Sequence, residues 1–139
     1  MKHSDPISHV MTTNVKTVQI NQQLSEVRRM LAEQQIHHVP VVNGTKLVGL
    51  ISATDMLKLN FTSPYTDCKS IDAFLDQQYT IENVMQKNLV TIDIKGTVRK
   101  AAHLLSDGTF HSLPVIGDDN KLIGIITSTD LIKYLAALC

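Results

Sequence analysis

The chain has 139 residues, 43% hydrophobic and 19% charged, which is typical of a globular domain and excludes a largely disordered or fibrous chain. Its 13 Lys and Arg residues balance 13 Asp and Glu residues, so there is no net basic field to attract nucleic acid or an anionic membrane. No apolar run approaches the roughly 18 residues of a membrane helix, and the first residues lack the apolar core of a signal peptide, so we expect a cytoplasmic protein.

The first half of the chain predicts a β-α-β-β-α unit. A β-branched stretch at residues 15–20 predicts a strand, and apolar residues at helical spacing over 24–31 predict an amphipathic helix. Residues 39–42 and 47–51 are apolar runs joined by an Asn-Gly pair, which favours a hairpin turn. A second helix begins near Ala53. Its buried side is expected to carry Met56, Leu57 and Leu59.

A connecting segment follows this unit. Residues 61–79 contain a Ser-Pro breaker and then apolar residues at helical spacing, which together predict a loop and a short helix. Short helical turns precede the first unit, where Ser4 or Asp5 is the predicted cap, and the second unit, where Thr80 is the predicted cap.

The second half of the chain repeats the first. Val10-Met11 and Pro40-Val41 recur as Val84-Met85 and Pro114-Val115, each 74 residues later. The predicted elements recur in the same order, at residues 89–94, 98–105, 113–116 and 122–126 and in a helix that begins near Ser128. The buried side of that last helix is expected to carry Leu131, Ile132 and Leu135.

This duplication predicts the domain organisation. A unit of about 55 residues buries too little apolar surface to be comfortably stable alone, so the two units should pack against each other. We therefore predict an α/β (α+β) fold of tandem β-α-β-β-α repeats packed through their sheets. The predicted divisions are residues 1–60 for the first repeat, 61–79 for a linker with a short helix, and 80–139 for the second repeat.

Each repeat carries a hydroxyl residue followed three positions later by an aspartate, where a strand ends and a helix begins. These segments are Ser52 to Asp55 and Thr127 to Asp130. Hydroxyls and amides at a helix N-terminus attract phosphate, and a carboxylate there could accept hydrogen bonds from two ribose hydroxyls. The same pattern also forms a capping box, which only satisfies backbone amides. Both interpretations remain open on the residues alone.

Three features that each occur twice carry a family resemblance. They are the Gly-x-x-Ser-x-x-Asp-like segments, the strands with a Pro-Val pair at residues 37–42 and 111–116, and the Val-Met opening of each unit. Together they resemble a pair of CBS domains, the arrangement called a Bateman module, over residues 5–138. The resemblance implies two ligand sites, each combining the first strand and the residues before the proline of one repeat with the aspartate segment of the other.

The resemblance assigns the site residues as follows. The first site would combine Val15, Lys16, Ile36, His37, His38, Thr127, Thr129 and Asp130. The second would combine Leu89, Val90, Phe110, His111, Ser112, Ser52, Thr54 and Asp55. It implies that Asp55 and Asp130 hold ribose hydroxyls and that the histidines reach phosphates. His38 and Ser112 stand where relatives often have arginine, which argues against tight triphosphate binding.

The implied function is a regulatory module that binds an adenosine-containing ligand, namely AMP, ADP, ATP or S-adenosylmethionine, with no required cofactor. A homodimer and a separate regulated protein are the expected partners, with no nucleic acid and no membrane. The alternative is a structural dimerisation module with vestigial ligand sites. An enzyme is not expected, because no nucleophile-base or paired-carboxylate arrangement stands out.

A metal site is not expected either. Adjacent His37 and His38 point to opposite faces of a strand, so they are poor joint ligands. Cys68 and Cys139 show no metal or disulfide spacing.

Overall fold

The computed structural model of the protein describes residues 5–34, 36–59 and 67–138. The chain divides into two units, each of which takes in a segment that precedes the other repeat in the sequence. The first-repeat unit consists of residues 16–44 and 48–89, and the second-repeat unit of residues 1–15, 45–47 and 90–139. In the described part of the chain, no helix is both long and apolar enough to cross a membrane.

Among its described residues, the first-repeat unit contains a three-stranded sheet and four helices. Its elements are β1 (Val18–Gln19), α1 (Leu24–Glu33), β2 (His38–Asn43), β3 (Lys46–Ser52), α2 (Ala53–Leu57), α3 (Cys68–Gln78) and α4 (Ile81–Val84). The strand order is β1-β2-β3, and β1 runs parallel to β2 with Val18 opposite Val41. The connection between β2 and β3 is a tight turn in which Gly44 has a φ of 66°, a conformation that favours glycine.

Apolar side chains from the sheet and the helices form the core of this unit. The strands contribute fully buried valines, α1 contributes Leu24 and Val27, and α3 contributes Leu75. Thr80 caps α4, as the sequence predicts, by accepting a hydrogen bond from the Asn83 amide at 3.1 Å.

The second-repeat unit has the same kind of sheet. Its elements are β4 (Ile92–Asp93), α5 (Val98–Leu105), β5 (Ser112–Ile116), β6 (Leu122–Thr127) and α6 (Ser128–Leu138), with short 3-10 turns at Ile7–His9 and Asp118–Asn120. The strand order is β4-β5-β6. Strand β4 is parallel to β5, and β5 is antiparallel to β6. Ile7 is fully buried in the core of this unit, beside residues of β4, α5 and the two longer strands.

The mixed α/β fold class with two small sheets is confirmed, while three details differ from the sequence expectation. The 3-10 turn at Ile7–His9 begins directly after Pro6, so Asp5 is not its cap, and Ser4 lies outside the described residues. The first strand of each repeat is short, because β1 reaches only the last residues of its neighbour β2 and β4 only the last residues of β5. The burial predicted for Leu57, Ile132 and Leu135 is wrong, since these side chains are 81%, 66% and 49% exposed. Helix α2 packs instead through Met56, which is 7% exposed.

Candidate functional site

A short extended segment pairs with the last strand of each unit and brings a polar side chain to the aspartate segment. Thr12 pairs with Ile125 through N···O distances of 2.8 and 2.9 Å. Gln86 pairs with Leu50 in the same way, at 2.8 and 3.1 Å. We call Thr12 and Gln86 the lead-in residues. They are equivalent positions, 74 residues apart in the repeat.

In the first-repeat unit, Asp55 closes a capping box at the start of α2. Its backbone amide donates to Ser52 Oγ at 3.0 Å, and its Oδ2 accepts from the Ser52 amide at 2.8 Å. The other carboxylate oxygen, Oδ1, accepts from Gln86 Nε2 at 2.9 Å. Asp55 is 9% exposed, and both of its oxygens have a donor at ordinary hydrogen-bond distance.

In the second-repeat unit, Asp130 forms the same box but has a more open carboxylate. Its amide donates to Thr127 Oγ1 at 3.1 Å, and its Oδ2 accepts from the Thr127 amide at 3.0 Å. Thr12 Oγ1 lies 3.4 Å from Oδ1 and 3.5 Å from Oδ2, at the outer limit of a hydrogen bond. Among the described residues, Asp130 Oδ1 therefore has no close donor.

The histidine segments lie beside the aspartate segment of their own unit. The carbonyl of His37 accepts a hydrogen bond from the amide of Ala53 at 2.9 Å, and the carbonyl of His111 accepts one from the amide of Ser128 at 3.0 Å. Both histidine side chains are exposed, whereas Ser112 is buried. Each unit thus places the backbone of an exposed histidine beside the first turn of the helix that carries its aspartate.

The predicted site residues divide between the two units. The first-repeat unit holds Lys16, Ile36, His37, His38, Ser52, Thr54, Asp55 and Leu89. The second-repeat unit holds Val15, Val90, Phe110, His111, Ser112, Thr127, Thr129 and Asp130. Each predicted site draws on both units, so the combinations across repeats stay predictions.

The lead-in residues were missed from the sequence. The Val-Met landmark ends one position before each of them, so extending that landmark by one residue would have found the pair. Within the described ranges, His, Cys, Asp and Glu side chains form no group of three that could hold a metal ion.

The family model of the CBS domain matches the chain twice, at residues 7–61 and 81–137. The chain belongs to the CBS domain family. The two matches cover both repeats, including both aspartate segments and the prolines of β2 and β5.

Solved structures share the fold of this CBS chain. The CBS-pair protein CBSX2 of Arabidopsis thaliana, solved in complex with AMP, has a TM-score of 0.80 at 22% identity and covers 96% of this chain and 98% of its own. The CBS domain pair of the protein MJ0100, solved with 5′-methylthioadenosine and S-adenosyl-L-methionine, has a TM-score of 0.75 at 24% identity, with 96% and 98% covered. At these sequence identities, the structural similarity shows that the fold is shared.

This CBS chain matches segments of two longer curated relatives and most of one relative of similar length. A homoserine O-acetyltransferase of Methanohalobium evestigatum is 30% identical over 130 residues, which are 93% of this chain and 24% of the acetyltransferase. An uncharacterized protein of Methanocaldococcus jannaschii is 29% identical, and the chain spans 39% of it. A CBS domain-containing protein of Dictyostelium discoideum is 29% identical over 93% of this chain and 90% of its own length.

Proposed function

We propose that this CBS chain is a ligand-sensing regulatory module that binds an adenosine-containing ligand and modulates a separate partner protein. The observation that carries the proposal is the carboxylate of Asp130, whose Oδ1 has no donor closer than the 3.4 Å contact from Thr12 among the described residues. The backbone amides of Thr127 and Asp130 already have acceptors in the capping box. A carboxylate held this way is free to accept hydrogen bonds from ribose hydroxyls.

The fold relatives support the choice of ligand class. CBSX2 is solved with AMP, and the MJ0100 domain pair with 5′-methylthioadenosine and S-adenosyl-L-methionine. All of these ligands contain adenosine, and they differ in the charge of what is attached to it. We propose that His37 and His111, which are exposed, face the phosphate end of a nucleotide, and that Phe110 and the aliphatic residues line the base.

The polar side chains at each site determine how much negative charge a ligand can carry there. The family resemblance implies that His38 and buried Ser112 stand where relatives often have arginine, which binds a polyphosphate bidentately. We therefore expect AMP and S-adenosylmethionine to bind more tightly than ATP.

The regulatory role rests on how the chain matches its longer relatives. The match to a protein named homoserine O-acetyltransferase covers 24% of that protein, so most of that protein lies outside the matched segment. In that relative the matching segment is part of a longer chain. We propose that this CBS chain acts on a separate partner protein, and that ligand binding shifts it between two packings that the partner distinguishes.

We also propose that the chain forms a homodimer. Helix α6 exposes Ile132 and Leu138 at 66% and 51%, together with half-exposed Leu135, which is unusual for one helix of a monomer. The alternative function, structural dimerisation with vestigial sites, is favoured by one observation, which is that both oxygens of Asp55 already have donors.

Isothermal titration of the full chain with AMP, ADP, ATP and S-adenosylmethionine tests the proposed function. We expect heat from at least one of the four and a loss of affinity of at least about tenfold for Asp130→Ala, because hydrogen bonds to a charged group contribute about 1.5–3 kcal/mol.

Thr97→Ala is the matched control. Thr97 Oγ1 caps α5 by accepting from the Lys100 amide at 3.2 Å, so this change removes a cap in the same unit and should cost about 1 kcal/mol of stability. Ligand affinity should stay unchanged. No heat from any of the four ligands with folded protein would leave the dimerisation module as the function.

A further inference from the structure

The two lead-in residues occupy equivalent positions but reach their aspartates differently. Thr12 pairs with the strand before Asp130, and Gln86 pairs with the strand before Asp55, through the same two backbone hydrogen bonds. The backbone pairing is therefore matched, and the lead-in side chains are the first difference between the two aspartates. Glutamine is longer and ends in an amide donor, whereas threonine ends in a hydroxyl close to the backbone.

Gln86 completes the hydrogen bonding of Asp55. Its Nε2 donates to Asp55 Oδ1 at 2.9 Å, while the Ser52 amide donates to Oδ2 at 2.8 Å. A hydrogen bond from an amide to a carboxylate is charge-assisted and stronger than one between neutral groups. A ribose hydroxyl that approaches Oδ1 must first displace this donor, so the Gln86 side chain competes with the ligand.

Thr12 leaves Asp130 accessible. Its hydroxyl lies 3.4 and 3.5 Å from the two carboxylate oxygens, and a contact of that length is weak. Asp130 is also half-buried, whereas Asp55 is buried. Helix α6, whose first turn carries Asp130, has 11 residues, whereas α2 has five. The dipole of α6 therefore stabilises negative charge at its N-terminus more than that of α2.

We infer that Gln86 closes the Asp55 site and Thr12 leaves the Asp130 site open, so that one adenosine ligand binds per chain, at Asp130. This inference rests on the proposed function, because it takes the two aspartates as the ribose-binding groups. It makes the lead-in residue, which lies outside the aspartate segment, the residue that decides which site is occupied.

Exchanging the two lead-in residues tests the inference. Gln86→Thr gives the first-repeat unit the lead-in residue of the second, and Thr12→Gln does the reverse. Titrating each full-length variant with AMP and with S-adenosylmethionine should show about one site for the unaltered chain, a second site in Gln86→Thr, and an affinity at least about tenfold weaker in Thr12→Gln.

The double exchange gives the sharpest result. In the chain carrying both substitutions, binding should move to Asp55, so that adding Asp55→Ala abolishes it. Lys87→Thr is the control for a substitution beside Gln86, since Lys87 is 61% exposed and should not alter the stoichiometry.

The outcomes separate the inference from the proposed function. Two equal sites in the unaltered chain, with no change in Gln86→Thr, would overturn the inference and leave ligand binding standing. No binding of AMP, ADP, ATP or S-adenosylmethionine by the unaltered chain or by Gln86→Thr would overturn the proposed function itself. Thermal unfolding of every variant shows that it is folded, and Gln86→Thr alone decides the inference if Thr12→Gln does not fold.

Discussion

At the scale of single residues, two equivalent glycines allow the lead-in segments to approach the last strand of each unit. A Cβ on Gly124 would lie 2.6 Å from the carbonyl oxygen of Thr12, which belongs to the backbone. A Cβ on Gly49 would instead meet the side chain of Met85, which is flexible and can move aside. The same position is therefore more constrained in the second-repeat unit.

Gly124→Ala should destabilise the protein by about 2–3 kcal/mol, because the lead-in backbone must shift and its hydrogen bonds to Ile125 weaken. Gly49→Ala should cost less, since Met85 can adopt another rotamer. Urea unfolding of both variants measures the difference. Equal losses would show that the backbone contact at Gly124 relaxes as easily as the methionine.

At the scale of secondary structure, α3 supplies a cap that α1 lacks. The side chain of Gln23, which precedes α1, makes no capping hydrogen bond to the helix within the described ranges. Asp76 of α3 takes this role, because its Oδ1 accepts from the Ser25 amide at 2.9 Å and its Oδ2 from Ser25 Oγ at 2.7 Å. One turn away, Asp72 forms an ion pair with Arg28.

The start of α3 carries its own cap. Asp67 accepts a hydrogen bond from the Ser70 amide at 2.7 Å, and this backbone hydrogen bond lowers the pKa of the Asp67 carboxyl. The cap therefore stays ionised through neutral pH and weakens only in acid, as the pH falls through that lowered pKa.

Asp76→Ala should destabilise the first-repeat unit by about 1–2 kcal/mol, because it leaves the amide of buried Ser25 without its acceptor. Hydrogen exchange at the Ser25 amide should accelerate together with the loss of stability. Asp72→Ala is the matched control on the same helix and should cost no more than about 1 kcal/mol, since it removes a partly exposed ion pair. A larger loss from Asp72→Ala than from Asp76→Ala would contradict the capping role.

At the scale of the whole molecule, apolar surface remains exposed on α6 and α2. Ile132, Leu138 and Leu57 are 66%, 51% and 81% exposed. Removing apolar surface from water stabilises a protein by about 25 cal/mol for each Å² buried. Burying these side chains against a second copy of the chain would therefore be favourable. The exposed side chains of α6 are the basis of the proposed homodimer.

Ile132→Lys should convert the proposed homodimer into a monomer without unfolding it, because the side chain is already mostly exposed within one chain. Sedimentation equilibrium should give twice the 15.4 kDa of the chain for the unaltered protein and the single mass for the variant. Lys133→Ala, the next residue along α6, is the control and should leave the dimer intact. A monomer in the unaltered protein would contradict the proposal.

Much of the fold could be predicted from the sequence, because the features concerned are local and occur twice. The helical spacing of Val98 to Leu105, the turn at Gly44 and the cap at Thr80 each depend on residues a few positions apart. The landmarks that recur in the same order in both repeats then identified the CBS family, which the family model confirms. The site combinations across repeats stay predictions, because each draws on both units.

Contacts between distant parts of the chain were decided only by the tertiary structure. The sequence by itself determined the duplicated α/β unit and the capping pattern at Asp55 and Asp130. It did not determine that Gln86 reaches Asp55 across 31 positions, that Thr12 lies near Asp130 across 118, or that Asp76 caps α1 across 51. A periodic pattern records which face of an element is apolar, whereas the partner of a polar atom depends on how the chain folds back, so the equivalent aspartates acquire different surroundings.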